Sequence, residues 1–240
     1  MLRAIAIPGL FITATDTEVG KTVVAAAIAD WFKRRQFRVG VCKPAATGCK
    51  RVREGLVSED AEFLAHCADA AAPLDIICPQ RFAEPLAPAV AAERAGRKLD
   101  WESIDRALRE IASQSDVMIV EGVGGVMVPM DGKVLLRDVI QWLGLAAVVV
   151  ARPGLGTINH TLLTLTALRE ARIPIAGVVI NRYPADNASV VEETNLRLME
   201  KWSKVPLLTV VPDEPVTPPM LPDGIRAAIG RVDWARFAGG

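Results

Sequence analysis

Residues Ile12-Thr13-Ala14-Thr15-Asp16-Thr17-Glu18-Val19-Gly20-Lys21-Thr22 join an apolar run to an Ala-rich apolar stretch, and this junction constrains the fold more than any other part of the chain. A Gly-Lys-Thr triplet is common by itself; one set between a strand and a helix has the context of a phosphate-binding loop. The N–H groups that open a helix carry partial positive charge and lack intrahelical acceptors, so a polyphosphate there satisfies donors that otherwise meet only water. Lys21 adds a full charge on a flexible stem, and Thr22 adds a hydroxyl suited to Mg²⁺. Glu18, Val19 and Gly20 before them and Val23 after them complete the stretch read as wrapping the nucleotide phosphates. The usual spacing places a further glycine where this chain has Thr15.

Beyond this loop, short apolar runs alternate with amphipathic segments, and the runs lack the polar alternation of a half-exposed sheet. Strands are expected at Gly9–Ala14, Arg38–Lys43, Val117–Glu121, Leu145–Ala151, Ala176–Asn181 and Leu207–Val211. Helices are expected at Lys21–Arg35, Ser58–Cys67, Trp101–Ser113, Leu135–Leu143, Ile158–Ala171 and Ala188–Lys204. The pattern predicts an α/β fold of the P-loop NTPase type, a doubly wound, mostly parallel sheet with helices on both faces. Ser58 falls at a helix cap and Asp116 at a strand entry. The Pro-rich segments Glu84–Pro88 and Pro212–Pro222 read as ordered loops between apolar flanks.

The 240 residues suit one large domain spanning 1–240. Lys plus Arg and Asp plus Glu each total 28, so no global field favours nucleic acid or an anionic membrane, and small-molecule chemistry is the better prior. Apolar runs such as Leu143 to Ala151 are too short to span a bilayer, and the start Met1-Leu2-Arg3 carries no secretory pattern, which together imply a cytoplasmic protein. Cys42, Cys49, Cys67 and Cys78 have no C-x-x-C spacing, so neither zinc nor a disulfide framework is expected.

In an open parallel sheet, ligands collect outside the carboxyl ends of the strands. Lys43 ends the second run, and Pro44 after it stops the strand and holds the turn through Thr47-Gly48 over the phosphate loop. Asp60 opens a helix after a polar loop. Glu121 ends the third run, just before Gly122-Val123-Gly124-Gly125, where an acidic group is costly unless a cation or several donors meet it. Asp60, Glu121 and the Thr22 hydroxyl together suit an octahedral Mg²⁺ completed by waters and phosphate oxygens.

These residues resemble the dethiobiotin synthetases of biotin biosynthesis over most of the chain. The resemblance rests on 15–22, on Cys42-Lys43-Pro44-Ala45-Ala46-Thr47-Gly48, on Ser58-Glu59-Asp60-Ala61, on Phe82-Ala83-Glu84-Pro85-Leu86-Ala87-Pro88, on Val120-Glu121-Gly122-Val123-Gly124-Gly125 and on Gly154-Leu155-Gly156-Thr157-Ile158-Asn159-His160. It implies an ATP- and Mg²⁺-dependent enzyme that closes a cyclic urea from diaminopelargonate and CO₂, as a homodimer with sites at the subunit interface. It further implies that Lys21 contacts the phosphates, that Lys43 lies between carbamate and γ-phosphate, and that Thr22, Asp60 and Glu121 hold the metal. By the same resemblance Thr47 holds the carbamate or substrate amine, Thr17 and Glu18 line the loop near the diamine, and Gly156, Thr157, Ile158 and Asn159 take the substrate's tail carboxylate. Gly122, Val123 and Gly124 count among the nucleotide-binding positions, as do Asn181 and Arg182, with Asn181 reading adenine through its amide. Pro212-Asp213-Glu214 flank the base. Ala14 stands where the family has glycine, so that position needs no positive φ here. His160 reads as a packing residue.

Three other classes compete. ATPases that partition plasmids or position division machinery share the general architecture, but carry a second lysine early in the loop, where this chain has Asp16. An amidotransferase-type synthetase needs a glutaminase domain with a nucleophilic Cys and a His, for which the chain has no room. A non-catalytic nucleotide-binding module leaves Lys43, Thr47, Asp60 and Glu121 unexplained.

Overall fold

Six strands, each too apolar to face water, pair side by side in a computed structural model that describes residues 2–239. They are β1 (Gly9–Ala14), β2 (Val39–Cys42), β3 (Val117–Glu121), β4 (Ala146–Ala151), β5 (Ile175–Tyr183) and β6 (Leu207–Pro212). Their order is β6-β5-β4-β1-β3-β2, and every pairing is parallel. Burial on both faces accounts for the continuous apolar runs.

One face of the sheet packs against α1 (Lys21–Lys33), α2 (Glu59–Ala68) and α7 (Asp223–Gly230), through Leu10, Ile12, Ile28, Leu64 and Ile229 among others. The opposite face, through Phe11, Met118 and Val149, packs against α3 (Trp101–Ser113), α4 (Leu136–Leu143), α5 (Thr157–Glu170) and, at Met199, α6 (Val190–Ser203). Alternate residues of β1 point to opposite faces, so one strand serves both cores. The expected strands and six helices all form, each within two residues of the predicted ends. The P-loop NTPase-type layering of helices on both faces of a parallel sheet is therefore the observed architecture.

Local chemistry explains the remaining differences. Pro88 opens a short helix, Pro88–Arg94, instead of closing a loop, because its fixed φ and missing N–H suit the first helical position. Two small hairpins, Lys50–Val52 with Gly55–Val57 and Pro129–Asp131 with Val134–Leu135, carry too few apolar residues in register to stand out in the sequence, and helix α7, only 8 residues long, buries Ile225, Ala228 and Ile229 over too short a run to show a period. Ser58 caps α2, its hydroxyl accepting from the Ala61 N–H at 3.3 Å. Asp116 receives the Arg38 N–H at 2.9 Å at the entry to β3. The four cysteines are free and buried. Among the described residues no helix is long and apolar enough to cross a membrane.

Candidate active site

The phosphate loop springs from between β1 and β4, where the Thr15 N–H donates to the Val150 carbonyl at 3.0 Å. Gly20, the residue before α1, is left-handed with φ 86°. A β-carbon there would stand 2.1 Å from Nδ2 of Asn181, and that Nδ2 donates to the Val19 carbonyl at 2.9 Å. Glycine is thus required twice, by conformation and by space. Glu18 is also left-handed, with φ 57°, whereas Ala14 is not. Lys21 curls back over its own loop, Nζ donating to the Asp16 carbonyl at 3.3 Å. Among the described residues, no acceptor meets the N–H groups of Lys21, Thr22 and Val23, which leaves them available to a polyphosphate.

Strand register assembles the charged centre. Cys42 lies opposite Val120 across the β2–β3 pairing, so the residues that follow, Lys43 and Glu121, emerge side by side. Lys43 is 4% exposed and Glu121 fully buried. Nζ of Lys43 reaches Oε1 of Glu121 at 2.7 Å and Oδ2 of Asp60 at 2.6 Å. The Thr22 hydroxyl donates to the same Oε1 at 2.7 Å. Burial by itself lowers the Lys43 pKa, but Glu121 and Asp60 override it and hold the ammonium above its ordinary value. Burial likewise acts to raise Asp60, and the neighbouring Lys43 overcomes it, keeping that carboxyl below the usual range. Lys21 moves the other way: burial lowers it, and Lys43 contributes in the same direction. The ammonium of Lys43 therefore persists at neutral pH, as does the Asp60 carboxylate.

Oε2 of Glu121 is buried and has no hydrogen-bond partner. Such an oxygen is costly to bury. Together with the half-exposed Asp60 carboxylate and the Thr22 hydroxyl, it forms a hard oxygen set that fits a divalent ion sharing its shell with phosphate and water.

A cleft of about 780 Å³ opens beside this centre, between the start of α1, α2 and the loop after β6. Of the positions expected from sequence, Thr22, Val23, Asp60, Asn181, Arg182, Pro212, Asp213 and Glu214 line it. Phe63, His66 and Val216 line it too, and sequence reasoning missed them. Asp60, Phe63 and His66 repeat at helical spacing from the Ser58 cap, so α2 presents all three along one side.

A family profile described as "AAA domain" matches residues 8–220. The chain is 40% identical to the ATP-dependent dethiobiotin synthetase BioD of Thermodesulfovibrio yellowstonii, over 85% of this chain and 88% of that one. It is 38% identical to the ATP-dependent dethiobiotin synthetase BioD of Bacillus subtilis, over 85% and 87% of the two chains. This chain belongs to the dethiobiotin synthetase family. Solved structures similar to it include the MinC:MinD cell division protein complex of Aquifex aeolicus, at 16% identity and TM-score 0.59 over 95% and 94% of the two chains. A ParA family ATPase from Chlorobium tepidum matches at 17% identity and TM-score 0.55 over 96% and 99%. At such identities the likeness shows the fold alone.

For a dethiobiotin synthetase-family chain, the remaining expected positions divide into two groups. Thr17 stands beside the loop after β3, with its methyl 3.7 Å from where a β-carbon on Gly124 would lie. Thr47 sits in a turn held by the Gly48 N–H donating to the Glu84 carbonyl at 3.2 Å. Gly156 to Asn159 open α5, led by a left-handed Gly156 with φ 86°. Other positions are tied into packing. A β-carbon on Gly122 would press on Leu136 and Phe11, and one on Gly124 on Val128; with Val123, they stand outside the cleft lining. The Thr157 hydroxyl is buried without a partner and its N–H donates to Gly154, so an anion at α5 is left with the N–H groups of Ile158 and Asn159. Asn181, near the end of β5, lines the cleft while one N–H of its amide donates to the Val19 carbonyl, which leaves its second N–H and Oδ1 for a base.

Proposed function

We propose that this protein is an ATP-dependent cyclo-ligase of biotin biosynthesis, joining CO₂ to 7,8-diaminononanoate (diaminopelargonate) to form the cyclic urea of dethiobiotin, with release of ADP and phosphate. The observation that carries this reading is the convergence of Lys43, Thr22, Asp60 and Glu121 at the start of α1. That arrangement serves phosphoryl transfer to an acid, and the 40% identity to a dethiobiotin synthetase supports the choice of acid.

One substrate amine adds to CO₂, giving a carbamate and a proton. A carbamate oxygen then attacks the γ-phosphorus, the bond to the ADP oxygen breaks, and a carbamic–phosphoric anhydride forms. The second amine attacks the anhydride carbonyl, closes the ring, loses a proton and expels phosphate. No covalent enzyme intermediate is needed, so the protein's work is positioning and charge neutralisation. Lys21 and the free N–H groups at the start of α1 hold the phosphates. Lys43 neutralises the reacting oxygens, and Thr47 holds the carbamate or amine, with Thr17 and Glu18 lining the loop beside the diamine. Thr22, Asp60 and Glu121 would hold Mg²⁺, which when bound would offset the negative charge of the nucleotide phosphates.

The substrate's tail carboxylate is assigned to the N-terminus of α5, supplied from a second copy of the chain in a cytoplasmic homodimer. Leu155 beside that terminus is 79% exposed, an apolar side chain suited to cover by a partner. The base is assigned to the cleft walled by Pro212, Asp213 and Glu214. A partitioning-type ATPase switch is disfavoured by Asp16 at the position of that class's second lysine.

The test is phosphate release, with mass analysis of the product. Phosphate should appear only when diamine, bicarbonate and ATP are all present, with dethiobiotin as the product. Hydrolysis that ignores the diamine refutes the reading.

A further inference from the structure

We propose that the Lys43 ammonium acts as an internal stand-in for the metal: it holds Asp60 and Glu121 together in the metal-free protein and is released from Asp60 when Mg²⁺ arrives with the nucleotide. This rests on the phosphoryl-transfer reading above and adds an order of events to it.

The geometry has a conflict built in. Nζ of Lys43 lies 2.6 Å from Asp60 and 2.7 Å from Glu121, the two carboxylates of the metal set. Those are its hydrogen-bond partners here. Mg²⁺ needs oxygen ligands at roughly 2.0–2.1 Å, so an ammonium and an ion drawing on the same two carboxylates are like charges crowded into one shell. The Thr22 hydroxyl is also turned toward this arrangement, donating to Oε1 of Glu121 at 2.7 Å. The partnerless Oε2 of Glu121 leaves one oxygen for the incoming ion without moving that carboxylate. Asp60, half exposed at the start of α2 and facing the cleft, is the partner that can exchange Lys43 for the metal. Lys43, once released, has its charge free at the mouth of the phosphate loop. Nucleotide without metal leaves Lys43 clamped and the site unready.

The probe is Mn²⁺ in the absence of nucleotide, followed by the loss of its free EPR signal. The wild-type chain, whose carboxylates are already neutralised, should bind Mn²⁺ weakly. Lys43→Met should bind at least ten-fold more tightly, and Glu121→Gln added to Lys43→Met should abolish the gain. Equal Mn²⁺ affinity in the wild type and a folded Lys43→Met overturns the proposal. A second measurement needs no variant at that position: wild-type protein carrying [ε-¹³C]lysine is titrated with ATP in EDTA and then with Mg²⁺·ATP, the Lys43 resonance being identified by its loss in Lys43→Arg. A Lys43 signal that moves only when Mg²⁺ is added bears out the exchange. An unmoved signal despite saturated Mg²⁺·ATP binding overturns the exchange and leaves the catalytic reading standing. Failure of ATP to bind under either condition overturns both.

Discussion

Asn181 fills the space that a β-carbon on Gly20 would need, with its Nδ2 2.1 Å from that point and 2.9 Å from the Val19 carbonyl it braces. Gly20→Ala should therefore distort the phosphate loop through both the clash and the left-handed φ of 86°, at about 1–3 kcal/mol of stability. Calorimetry should show at least a ten-fold loss of nucleotide affinity. Adding Asn181→Gly should recover part of the melting temperature; no recovery would mean the crowding is not the cause.

Lys43→Ala separates two roles of one side chain. Loss of a preorganised charge predicts a fall of about 10²- to 10³-fold or more in turnover. Glu121 is fully buried, and an uncompensated buried charge costs about 3–5 kcal/mol. Urea denaturation should show that loss. Lys43→Ala combined with Glu121→Gln should regain most of the stability and none of the activity.

Asp116 reports on stability away from the site. The side-chain hydrogen bond from Arg38, helped by the Arg38 N–H, holds its pKa at about 2, below an unfolded value near 3.9. A carboxyl lowered by folding contributes stability that is present above its unfolded pKa and is lost as pH falls through its folded one. The melting-temperature gap between wild type and Asp116→Asn should stay constant from pH 7 to 5 and close between about pH 4 and 2. A gap that persists at pH 2 contradicts the pairing.

The thiols should be silent. Burial pushes Cys67 up to about 11 and Cys78 up to about 12, and Cys42 well above the ordinary thiol value. Because the thiolate is the reactive species, a disulfide reagent at pH 8 should find no rapidly reacting group in the native protein. All 4 cysteines should react in guanidinium. A fast native reaction would place one of them at the surface.

Periodicity and punctuation are local, and they are what a single sequence determines. The apolar runs are strands because both faces of the sheet are covered, the Ser58 hydroxyl starts α2 because it reaches a nearby N–H, and Gly20-Lys21-Thr22 marks a phosphate loop because it joins strand to helix. Each of these depends on residues a few positions apart. Position past the strand ends marked Asp60 and Glu121 as a metal set, and resemblance to a family added the role of Lys43, but neither carried the fact that all three meet in one hydrogen-bonded cluster. Lys43 and Glu121 are neighbours only because β2 pairs with β3 in the register that sets Cys42 against Val120, and strand order and register are fixed by packing over the whole sheet. The same holds for Asn181, whose amide was legible as a group suited to a base, while its bond to the Val19 carbonyl depends on where β5 passes the phosphate loop. His66 belongs to the cleft because α2 is rotated to bury Leu64 and Cys67 in the core, and Phe63, itself part of that core, forms the cleft wall from the same helix. Chemistry was written in residue type and spacing; proximity between distant segments, and with it the burial that tunes each charge, was decided by the tertiary structure because no local rule carries it.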